Sequence, residues 1–163
     1  MPEASAQIRS NIAAVNLTAI LGDSISVAAS PGLVNFNLVG SGVSTGNPAV
    51  TITTAWVLGH PATISTYSYF SNSASALTDG AGHNIPTSSV SGNVDGGGFT
   101  RFTGACPFSA NTCVRIWNQH VPGPGIKLKG THNDTLQLQI STVGLTLPAG
   151  TYTGVLHIQA QAL

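Results

Sequence analysis

Apolar side chains recur at every second position through most of this chain, a spacing that only extended backbone can bring onto one face. Val50, Ile52, Trp56 and Leu58 share a register with Thr51 and Thr53 opposite, and Leu136, Leu138 and Ile140 alternate with Gln137 and Gln139. The same period runs through Val15, Leu17, Ala19 and Leu21, resumes at Ile25 and Val27, and continues in Val34, Phe36 and Leu38. Residues 63–70, TISTYSYF, are β-branched and aromatic, which suits a pleated surface. Near the end Tyr152, Leu156, Ile158 and Ala160 point one way, while Thr153, Val155, His157 and Gln159 point the other. Each run predicts a half-buried strand, and no window carries helical periodicity. Turn formers separate the runs, among them Ser30-Pro31-Gly32, Gly59-His60-Pro61, Asp95 to Gly98 and Pro148-Ala149-Gly150. Short strands broken this often build antiparallel sheets closed into a sandwich or barrel. The stretch 71–113 is the least regular, with short strands expected near Ile85–Val90 and Phe99–Thr103.

A chain of 163 residues fits one all-β domain with a core of its own. Charge is what it lacks: 6% of residues are charged, against about 25% in ordinary soluble domains. Five basic and five acidic residues cancel. A nucleic-acid partner needs a basic stripe to release counterions, and an anionic membrane surface needs a basic cluster, so both are disfavoured. No apolar run approaches the length of a membrane-spanning helix. Polar coverage falls to Ser, Thr, Asn, Gln and Gly, a mixture suited to a secreted, cell-surface protein. Cys106 and Cys113 bracket the turn formers Pro107, Ser109 and Asn111, so a disulfide closing a short loop is expected, with two free thiols as the other reading. The disulfide favours an oxidising compartment.

No catalytic constellation stands out, and the expectation is a protein that is not an enzyme and needs no cofactor or metal. The histidines His60, His83, His120, His132 and His157 are scattered, without the i, i+4 pairing of a metal site. Asp79-Gly80 and Asp95-Gly96 read as turns rather than as an acid and base, and no G-x-S-x-G elbow occurs. The segment DGAGHN, 79–84, has a calcium-loop outline with too few carboxylates and reads as a turn. Trp56, in phase with Ile52 and Leu58, reads as core. Trp117, after Val114 and Ile116, is the aromatic that would stack on a sugar or partner if it is exposed.

The first residues keep a different phase. Ala6, Ile8, Ile12 and Ala14 are even, interrupted by Ser10, and the apolar face switches to odd positions at Val15. A one-residue slip moves every side chain across a sheet, so residues 1–14 are read as a separate extended segment and 15–163 as the sandwich domain.

The ending LPAGTYTGVLHIQAQAL, 147–163, resembles the closing strand of spore coat protein U and related secreted pilin-like domains, and VNLTAILGDSISVAAS, 15–30, resembles their first strand. The resemblance covers the two ends of the chain only. It implies an antiparallel immunoglobulin-like β-sandwich secreted by a chaperone–usher route, in which a neighbour's N-terminal extension completes the subunit's sheet. On that expectation Ala6, Ile8, Ser10, Ile12 and Ala14 form the self-assembly strand, with Ile8 and Ile12 as plugs. Partners would then be further copies of the chain, in a filament or coat, and a secretion chaperone. The long strand pattern up to the C-terminus departs from this family, because such a chain could already hold every strand it needs. Donation between subunits, an internal edge strand and a disordered tail therefore stay open. The rival reading is a monomeric module that binds surface glycans through Trp117.

Overall fold

The computed structural model describes residues 10–108, 112–123 and 128–163. Among these, the elements are strands β1 (Ser24–Ser30), β2 (Val43–Thr45), β3 (Val50–Val57), β4 (Ala62–Tyr69), β5 (Leu77–Thr78) and β6 (Asn84–Ile85), a short 3-10 turn at Thr87–Ser89, then β7 (Val90–Val94), β8 (Phe99–Arg101), β9 (Gly104–Ala105), β10 (Thr112–Val121), β11 (Lys129–Ser141) and β12 (His157–Ala162). One sheet runs β1-β3-β11-β7-β8, with β2 also paired to β11; a second runs β12-β4-β10-β9; β5 and β6 form a ribbon. The ladders of these sheets are antiparallel. The chain is all-β, as its alternation predicts.

The two larger sheets face each other across the apolar rows that the period-2 pattern singles out. Ile52, Leu136 and Ile140 of the first sheet meet Phe70, Val114 and Phe102 in one cluster, while Trp56, Leu58, Ile64 and Val121 form a second. Between the sheets the buried hydroxyls of Thr54 and Thr66 lie 2.9 Å apart, each satisfying the other. Gly130 sits opposite Trp56 because a Cβ there would stand 2.6 Å from the indole. Asp95, at φ 51°, and Gly96, at φ 77°, make the tight turn after β7 that the Asp-Gly pair predicts.

Three expectations are corrected. Residues 15–21 form no strand: Val15, Leu17 and Leu21 are 82%, 91% and 83% exposed, and β1 begins only at Ser24. Among the described residues, the stretch without regular structure runs from Ser10 to Asp23, and is called the leader below. Val34, Phe36 and Leu38 do turn inward against the core, yet their segment holds only an isolated bridge, Asn35 to Asn47. Likewise β12 starts at His157, leaving Tyr152 and Leu156 packed on the core outside any strand. β10 was not expected, because its alternation is broken by a register shift between Arg115 and Trp117.

Candidate functional site

Where 31–38 and 150–156 run beside one another, the sandwich is open. Between them lies a groove of about 750 Å³, floored by Val50, Phe70, Val90, Leu138 and Ile140. Asn35 exchanges both backbone hydrogen bonds with Asn47, and Thr153 does so with Thr78. In extended chain the neighbouring backbone groups point the opposite way. Those of Val34, Phe36, Tyr152 and Gly154 take no backbone partner among the described residues, and no ladder joins one wall to the other. The site thus combines an apolar floor with unpaired N–H and C=O groups on its flanks, which is what an added strand requires. Gly154 fixes one wall: a Cβ there would fall 1.9 Å from the Ala76 carbonyl oxygen. Tyr152 on the same wall donates its hydroxyl to the Pro148 carbonyl at 3.0 Å, and burial, with the Asp79 charge, pushes its phenol above 10.0.

The leader carries the complementary pattern. Val15, Leu17, Ala19 and Leu21 share one face, with Asn16 and Thr18 on the other, and residues 10–23 are exposed. Ser10, Ile12 and Ala14, three of the expected self-assembly residues, are exposed too, Ile12 at 94%. Ala6 and Ile8 lie outside the described residues. Asp23 ties the end of the leader down: its carboxylate accepts from the Gly59 N–H at 2.6 Å and stands 3.2 Å from His60 Nδ1.

Geometry decides which groove this face can reach. The leader enters at one end of β1, whereas the groove is lined from Ala29, at the other end, onward. β1 has 7 residues, about 23 Å of strand at about 3.3 Å each. A leader folded back at Gly22 would spend about that many residues running along β1. On that path Val15 to Leu21 would lie along β1 rather than over the groove floor of their own molecule.

Trp117, the aromatic expected to stack on a ligand if exposed, is half-buried. The bulge in β10 turns it inward with Thr66, where its ring stacks on His132 at 4.3 Å and 9° and lies 5.4 Å from Trp56. His132 Nε2 is 3.1 Å from the buried Asp134 Oδ1, while Asp134 Oδ2 is buried without a hydrogen-bond partner among the described residues. Burial pushes the Asp134 carboxyl up; His132 pulls it down, and the charge of Asp95 adds to the rise. A buried carboxyl so raised contributes to stability in a pH-dependent way.

The remaining sequence features take structural roles. Cys106 and Cys113 are disulfide-bonded with Cα atoms 5.1 Å apart. In the 79–84 loop Asp79 Oδ1 accepts from the N–H groups of Ala81 and His83, and Oδ2 lies 2.6 Å from the His83 ring. Desolvation raises the Asp79 carboxyl, but these contacts outweigh it and hold the group below 3.8. Among the described residues, no three His, Cys, Asp or Glu side chains converge as metal ligands, and no helix is long and apolar enough to cross a membrane. The groove itself was missed from sequence, although the inward faces of 34–38 and 152–158 were its signal. Comparison of the chain with protein-family models, with curated proteins and with solved structures finds no match.

Proposed function

We propose that this chain is a structural subunit of an extracellular filament or coat, joined by β-strand addition of one copy's leader to the groove of the next. One observation carries the reading: a single chain has an apolar groove flanked by backbone without partners among the described residues, and an exposed leader whose Val15 to Leu21 face, folded back along β1, would fall short of that groove. Insertion would bury Val15, Leu17 and Leu21 over Val50, Leu138 and Ile140, each large side chain contributing about 1.5–3 kcal/mol when fully covered. Added backbone bonds would satisfy both walls. On this reading the donor face is Val15, Leu17, Ala19 and Leu21, while Ile12, on an even position, would lie on the opposite face of one continuous strand. The intramolecular disulfide is compatible with an oxidising, extracellular setting, and a secretion chaperone would fill the same groove before assembly.

Deleting residues 1–22 tests this. The truncated chain should stay folded and monomeric by light scattering and negative-stain microscopy, while the full chain assembles. A peptide spanning 10–22 should bind the truncated chain and raise its melting temperature. Assembly that persists after the deletion would refute the proposal.

A further inference from the structure

We propose that the outer face of the four-stranded sheet binds acidic carbohydrate, with Tyr67 as the stacking surface and Arg115 as the carboxylate clamp. This reading is independent of assembly, since none of the residues involved lines the groove.

Register puts the needed chemistry in one row. Tyr67 on β4 is paired with Arg115 on one side and Gln159 on the other, and Tyr69 is paired with His157 in the next row. Neighbouring strands lie about 4.8 Å apart, so a sugar ring resting on Tyr67 has both flanking side chains within reach. The Tyr69 ring stacks on His157 at 5.4 Å, and its hydroxyl donates to Gln159 Oε1 at 2.9 Å, leaving the Gln159 amide N–H groups for a ligand. Phe108, from the disulfide loop, meets Tyr67 edge-on at 5.8 Å and walls that side. Phe108 also meets Tyr69 at 6.3 Å, and the half-exposed Tyr67 ring beside planar amide and guanidinium donors suits a pyranose, which offers C–H groups on its faces and hydroxyls around its rim.

Charge selects the acidic kind. The strands β4, β9, β10 and β12 contain no Asp or Glu, and Arg115 is exposed with no ion pair among the described residues. A guanidinium on a sheet without carboxylates is complementary to a uronate, which it can hold through two parallel N–H···O bonds. A single guanidinium does not suffice for a polyphosphate chain or an anionic bilayer, each of which is held by several cations.

The test titrates the full chain with oligogalacturonate and with its methyl ester, which keeps the sugar rings and removes the charge. Calorimetry should show the acid binding at least about tenfold more tightly than the ester, the discrimination expected from one charge-assisted contact. Arg115→Gln should abolish that preference and leave the melting temperature unchanged, the side chain being exposed. Tyr67→Ser should weaken acid and ester alike. Equal affinity for acid and ester, a preference that survives Arg115→Gln, or no binding of either would overturn the proposal. So would equally tight binding of a thymidine oligonucleotide or of phosphatidylserine vesicles.

Discussion

Replacing Leu17 by Ala separates the free subunit from its joint. In the free molecule Leu17 is 91% exposed, so the substitution should move its stability by no more than about 0.5 kcal/mol. In a groove floored by Leu138 and Ile140 the same change removes three buried carbons. At about 0.8 kcal/mol for each, the joint loses about 2.4 kcal/mol, and the critical concentration for assembly rises about 50-fold. Asn16→Ala and Thr18→Ala, on the opposite face of an inserted strand, should leave that concentration within about a factor of two. Light scattering against protein concentration measures the threshold, and thermal melting of the unassembled fraction checks the fold. A threshold unchanged in Leu17→Ala, or raised equally by Asn16→Ala, would show that the odd face of the leader is not what the groove receives.

Three further outcomes follow from the packing. Gly154→Ala drives a Cβ into the Ala76 carbonyl and should lower stability by about 1–3 kcal/mol in a thermal melt, whereas Gly150→Ala, with open space at its Cβ, should not. Opening the Cys106–Cys113 loop by Cys106→Ser with Cys113→Ser should cost about 2–3 kcal/mol, seen as a fall in melting temperature that reductant reproduces in the native chain. The Asp134 carboxyl, raised by burial above its ordinary 3.8, binds its proton more tightly in the folded state. Its stabilising contribution is therefore complete below about 3.8 and is lost as pH rises through the folded value. Asp134→Asn should remove that loss, so that the stability difference between variant and native chain grows from acid toward neutral pH in denaturant titrations.

The alternation in the sequence found β3, β4 and the apolar half of β11 because each buries one face within the molecule. It over-read Val15 to Leu21 because alternation records which side chains would share a face of an extended chain, and carries no information on whether a neighbouring strand is there to pair with it. The period at 34–38 identified the inward side chains correctly but carried no information on the backbone ladder, which depends on a neighbour far away in sequence. β10 escaped because its bulge turns both Ile116 and Trp117 toward the interior, breaking the period where it would have been read. The same bulge hides Trp117 against His132. That Tyr67 and Tyr69 share a face was legible; that Phe108 leans on them was not, since it reaches them from a loop.

The leader departs from one end of β1 and the groove opens at the other, so the two halves of the proposed joint lie on different parts of the surface. A row of copies linked through them has a direction. Its two tips are unlike, one showing a vacant slot and the other a bare strand. Growth could be stopped at the first by a short peptide and at the second only by a protein that offers a slot of its own.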